Sequence, residues 1–203
     1  MPDVQISEAL EVAERSIGIQ FLPLAVCPLP PHPVKLPMGE DWVKKVGKTT
    51  VRIVGSSKYG TPFGRDILVV LYLIQEAQRQ GNGPLIRFDS IKQYLETFKL
   101  DNKGRNYKEA AERFKRIFYS TWFWEDNREG GGQSAVAFRV IDSWNVFFDA
   151  DNQSSNPLFN SFIELSPRFW EILRAHPIPY RLDAVIQIKD KPAVLALYLF
   201  LVY

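Results

Sequence analysis

The 203 residues carry 25 Lys and Arg against 23 Asp and Glu, a formal net charge of +2, with 46% hydrophobic and 24% charged residues. This is the composition of a folded chain with room for one sizeable domain or two small ones, and it excludes global disorder. So small an excess of positive charge also excludes a surface that is basic throughout, and a nucleic-acid partner requires the charge to be concentrated in one place.

Residues 1–16 are acidic and polar, unlike a secretory signal. Ile6, Ala9, Leu10, Ala13 and Ile17 recur at helical spacing, and Gly18 ends that segment. Pro23, Pro28, Pro30, Pro31, Pro33 and Pro37 then forbid regular helix or central strand, so residues 22–38 read as an extended arm. Its apolar side chains, Leu22, Leu24, Val26 and Leu29 among them, gain by lying against the domain or a partner. Residues 48–55 alternate and are rich in β-branched types, which predicts a strand. The turn residues Gly60, Pro62 and Gly64 follow it.

A helix begins at Asp66, with Ile67, Val70, Leu71, Ile74 and Ala77 on its apolar face, and residues 81–83 (Gly-Asn-Gly) stop it. A short strand is expected over 84–88. Ser90 with Gln93 forms a capping box for a second helix, and the turn 100–104 leads to a third over 105–120. That third helix buries Tyr107, Ala110, Ala111, Phe114, Ile117 and Phe118. Aromatic and β-branched residues at 121–124 and 134–146, separated by a glycine-rich segment at 126–133, predict a β-hairpin. Beyond the polar loop 151–156, a strand at 162–165 leads to Ser166-Pro167, which opens a helix to Ala175. Residues 180–188 read as extended. Pro192 opens a last helix, apolar nearly all round, that runs to the end of the chain.

Helix, strand, helix, turn, helix and hairpin, in that order, are the elements of a winged helix-turn-helix. The expected class is α+β, with residues 1–47 as N-terminal helix and Pro-rich arm. Residues 48–188 are the first winged-helix domain with an appended strand and helix, and 189–203 are the start of a second, cut short.

The chemistry concentrates on the third helix. From Lys99 to Arg116 seven basic residues stand against three acidic ones, a local balance of +4. Lys103, Arg105, Lys108, Arg113, Lys115 and Arg116 are the candidate DNA contacts, joined by Arg128 on the hairpin tip. The competing reading is a solvated helix face with intrahelical Glu109–Arg113 and Glu112–Arg116 pairs. Alternation sets Trp122 and Trp124 against Phe123 and assigns one of the two faces to the core.

Enzymatic readings fare poorly. Residues 46–50 echo the end of a phosphate-binding loop, but Trp42 stands where its first glycine is required. With two histidines, His32 and His176, and one cysteine, Cys27, neither a zinc site nor a Cys–His nucleophile is expected. The lone cysteine also excludes an internal disulfide and, with no apolar run near 20 residues, points to a cytoplasmic protein without metal or cofactor.

Several pieces resemble plasmid-encoded RepA-type replication initiators in order and spacing. They are residues 59–64 (Tyr-Gly-Thr-Pro-Phe-Gly), the Gly104-Arg105 turn, Phe169-Trp170-Glu171 with residues 177–179 (Pro-Ile-Pro), and residues 191–201. The resemblance implies two winged-helix units that bind double-stranded DNA at plasmid origin repeats, recruit host replication proteins and form homodimers. It assigns base reading to the second unit, and dimerisation with backbone contacts to the first. A winged-helix transcriptional regulator and a pure dimerisation module are the alternatives.

Overall fold

The computed structural model describes residues 19–21, 29–33, 41–46, 49–81, 83–127, 133–146, 161–175 and 179–202. The helix expected near residues 1–17, most of the arm, the loop 151–156 and the hairpin tip with Arg128 lie outside the described residues. Six α-helices are described: α1 (Ile67–Arg79), α2 (Ile91–Thr97), α3 (Gly104–Phe118), α4 (Pro167–Ala175), α5 (Leu182–Ile188) and α6 (Pro192–Leu201), with a single 3-10 turn at Gly64–Asp66 leading into α1. The strands are β1 (Ile19–Phe21), β2 (Trp42–Val46), β3 (Thr49–Val54), β4 (Leu85–Arg87), β5 (Thr121–Asn127), β6 (Gln133–Phe138), β7 (Ile141–Asn145), β8 (Phe162–Leu165) and β9 (Pro179–Arg181). They pair antiparallel as a four-stranded sheet β2-β3-β5-β6, a three-stranded sheet β4-β8-β7 and a ribbon β1-β9. The architecture is α+β.

Helix α1 is the centre. Each residue from Ile67 to Ile74 is at most 4% exposed, so the first two turns of the helix are enclosed on every side. Several of these residues are β-branched, which costs a helix a few tenths of a kcal/mol each. Full burial of each aliphatic side chain contributes about 1.5–3 kcal/mol, so packing decides the conformation. Three helices supply one ring each to its flank. Tyr72 of α1 meets Tyr94 of α2 edge-on at 5.6 Å, and Tyr94 meets Phe114 of α3 at 5.2 Å. Helix α2 starts where Ser90 Oγ accepts the Gln93 amide at 3.4 Å, one half of the expected capping box.

The entry to α1 is fixed from two sides. Gly64 has φ +53°, its amide donates to the Pro30 carbonyl at 2.7 Å, and a Cβ there would lie 3.1 Å from the Pro31 carbonyl oxygen. A side chain at this position is therefore doubly disfavoured. This contact docks residues 29–33 of the arm, with Leu29 buried. On the other side Asp66, 1% exposed, takes two hydrogen bonds from Arg116 of α3, at 2.6 and 2.9 Å, and one from the Phe63 amide at 2.9 Å.

Strands β3 and β8 and helices α1 to α4 and α6 follow the sequence expectations to within a residue or two. Three segments do not. The N-terminal region 1–47, expected to hold a helix and the Pro-rich arm, also contains β2, which lies beyond the arm and pairs with β3 from Trp42↔Ile53 to Val46↔Thr49. Residues 134–146 are not one hairpin arm. They divide at Arg139-Val140, β6 staying with β5 while β7 pairs with β8 in the other sheet. Residues 182–188, expected extended, form α5, because Leu182, Val185 and Ile186 share a helical face and pack against the core. Helix α6 buries Leu195 and Leu199 and leaves Val194, Leu197 and Leu201 exposed.

Two stability predictions follow from these contacts. Arg116→Ala leaves the Asp66 carboxylate buried without its partner, and urea denaturation should show a loss of about 3 kcal/mol, with the Asp66→Ala/Arg116→Ala pair costing less than the sum of the singles. Leu71→Ala, at the middle of the enclosed helix, should cost about 2–5 kcal/mol by the same measurement.

Candidate nucleic-acid interface

Helix α3 owes its two-sidedness to its sequence. Ala110, Phe114, Ile117 and Phe118 face the core, and the charged residues fill the remaining arc. The structure sorts the seven candidate contacts into three groups. Lys103, Arg105 and Lys108 stand out from the first turns of the helix, the Lys103 and Arg105 side chains 83% and 90% exposed. Their partnerships are loose: Lys103 lies 3.6 Å from Asp101 and Arg105 3.6 Å from Glu109, while Lys108 has no ion pair among the described residues. Exposed pairs of that length are worth well under about 1 kcal/mol and yield easily to another anion.

The second group faces inward. Arg116 is held by Asp66 and lies 4.6 Å from the centre of the Phe63 ring, and Arg113, 8% exposed, donates to Glu109 at 3.1 Å. Of the two intrahelical pairs expected from spacing, Glu109–Arg113 forms. Glu112 instead accepts from Lys115, at 2.8 Å, because Arg116 has turned to Asp66. Lys115 is also within 5.7 Å of the Tyr59 ring centre. Arg113, Lys115 and Arg116 are thus engaged in the fold. The third group is Arg128 alone, outside the described residues.

A cleft of about 870 Å³ runs along this face. The docked arm at Pro31, His32 and Pro33 forms one wall, the turn at Phe63–Asp66 the floor, and α3 the other wall, with Pro192 at the end. Arg65, absent from the candidates, is central to it. Its guanidinium is 3.5 Å from Glu109 and 2.8 Å from Asp190, on the segment leading into α6. No periodicity marks Arg65, since its partners lie far along the chain. Burial pushes the Asp66 carboxyl above its ordinary value, and the Arg116 guanidinium and the Phe63 amide oppose that rise.

The sheet residues divide as alternation requires. Trp122 is buried with its indole N–H donating to Ser120 Oγ at 2.8 Å, Trp124 packs beside the core, and Phe123 on the opposite face lies 4.1 Å beneath the Arg52 guanidinium. Val46 ends β2 while Thr49 and Thr50 open β3, so a strand rather than a phosphate-cradling helix follows. Among the described residues, no group of three or more His, Cys, Asp or Glu is placed to hold a metal ion, and no helix is long and apolar enough to cross a membrane.

Comparison with known proteins gives a family and a fold. Two crystal structures of domains 2 and 3 of RctB resemble the chain. One has a TM-score of 0.54 at 13% identity over 84% of this chain and 65% of that one, and the other a TM-score of 0.49 at 14% identity over 74% and 58%. At that identity the likeness is one of fold, and the chain spans less than two thirds of the RctB structures it matches. No curated protein matches it. The family described as plasmid encoded RepA protein matches residues 95–203, more than half of the chain and all of α3 to α6. The chain belongs to the plasmid-encoded RepA protein family.

Proposed function

We propose that this protein is a non-catalytic plasmid replication initiator whose described part is a winged-helix unit that grips the DNA backbone at origin repeats and takes part in dimerisation. Membership of the RepA family supports the initiator role. The observation that carries the DNA contact is the set of three exposed cations, Lys103, Arg105 and Lys108, on the first turns of α3. There the helix N-terminus adds its own attraction for phosphate.

The winged-helix reading is supported by the order α1, β4, α2, α3, β7, β8, with β8 central in the sheet β4-β8-β7. On that reading β7 and β8 are the strands of the winged-helix hairpin. The β5–β6 hairpin that carries Arg128 is an insertion extending the sheet of β2 and β3. Dimerisation finds support in that sheet's outer strands. Among the described residues β2 and β6 each pair on one edge only, and Val43 of β2 is 53% exposed.

Fluorescence anisotropy with an origin-repeat duplex tests the DNA contact. Three phosphate contacts predict that affinity falls about 40-fold between 50 and 200 mM salt. Arg105→Ala should weaken binding alike on origin and unrelated duplexes and reduce the salt slope by about 1. A flat salt response removes the DNA reading. Light scattering that finds a dimer persisting at high salt, without DNA affinity, selects the dimerisation module instead.

A further inference from the structure

Glu109 has an unusual set of neighbours. Three guanidiniums converge on its one carboxylate: Arg113 at 3.1 Å, Arg65 at 3.5 Å and Arg105 at 3.6 Å. They come from two elements, the turn before α1 and helix α3. Asp190 offers Arg65 a second carboxylate at 2.8 Å, and that carboxylate is itself 3.5 Å from Lys189. The group therefore holds more cationic than anionic charge, and Lys108 beside it on the cleft wall adds another cation. Arg113 is 8% exposed, so its charge is held away from water, where a partner is worth more than at the surface.

Glu109 serves these arginines poorly. One carboxylate has two oxygens, and each good guanidinium–carboxylate pair uses both in a fork. Here they are divided among three partners, two of them beyond ordinary hydrogen-bond length. A tetrahedral phosphate carries more acceptor oxygens and matches several guanidiniums at once. The arginines also line an open cleft of about 870 Å³ rather than a closed core, so an anion can reach them.

We infer that the cleft between the docked arm and α3 is a phosphate-group site built by Arg65, Arg105 and Arg113, and that Glu109 is its internal stand-in, occupying the arginines until a phosphate displaces it. Where the phosphate belongs to DNA, the inference rests on the proposed backbone contact and adds Arg65 and a gate to it. Glu109 then holds the arginines preorganised and sets a threshold that weak anions do not pass. Displacement swings the carboxylate toward solvent, where it is already 40% exposed.

The test compares the full chain with Glu109→Gln, Glu109→Ala, Arg65→Gln and a charge-matched control, Arg168→Gln. Arg168 lies on α4 in an exposed pair with Glu171 and lines no part of the cleft. Thermal melts establish that each variant folds, and the glutamine keeps an acceptor for Arg113. The probes are the origin-repeat duplex and, separately, inorganic phosphate followed by the shift in melting temperature. Glu109→Gln should bind duplex about fivefold more tightly at low salt, the effect of removing one like charge a few ångströms from the ligand. Glu109→Ala should behave alike, and Arg65→Gln should weaken binding while Arg168→Gln does not. If wild type binds duplex with the expected salt slope and both Glu109 variants match it, the gate is wrong although the backbone contact stands. If no form binds duplex but phosphate raises the melting temperature, more so in Glu109→Gln, the cleft takes a free phosphate, and the inference survives the loss of the DNA reading. If neither probe responds in any variant, both fail.

Discussion

A helix with no polar side has to be surrounded before it is stable. The first two turns of α1 form such a stretch, buried at every position from Ile67 to Ile74, and most of the described fold can be understood as its enclosure. Helices α2 and α3 cover it through the Tyr72–Tyr94–Phe114 rings, β4 and the ribbon strand β1 cover other sides, and Tyr180 donates its hydroxyl to the Leu71 carbonyl from β9. None of these pieces is long enough to hold its shape in water alone. Their shared dependence on one central rod explains why strands from distant parts of the chain are brought together around it.

The same enclosure explains how α3 divides its charges. The end of the helix near α1 needs a partner for the buried Asp66, and Arg116 is spent there. Arg113 is drawn inward in the same way, toward Glu109. What remains for solvent is the first two turns, with Lys103, Arg105 and Lys108. A nearly neutral chain thus obtains a positive edge without a basic surface. The cost of burying arginines is met by pairing them within the fold, and removing either partner strands the other.

Much of this was legible in the sequence, for reasons that differ from element to element. Helices α3 and α4 carry an apolar stripe of helical period together with a local start signal, the Gly104 turn in one case and Ser166-Pro167 in the other. Strand β2 has neither: its third and fourth residues are Lys44 and Lys45, and only its register with β3 makes it a strand. Helix α5 was hidden because Val185, Ile186 and Ile188 also suit an extended chain, and contact with the core decided between them. At the site, the exposed cations of α3 could be read from spacing. The inward turn of Arg116 could not, since Asp66 lies 50 residues away, nor could the role of Arg65, whose partner Asp190 is 125 residues distant. Ion pairs between remote segments leave no periodic trace.

Between β6 and β7 the chain crosses from one sheet to the other in two residues, Arg139 and Val140. Both of their carbonyls are taken by Ser166, at the head of α4, through its hydroxyl and its amide respectively. A joint this short, clamped by a neighbouring helix, has no slack. The link and its two bonds to Ser166 tie the end of β6, the start of β7 and the head of α4 to one point where the two sheets meet.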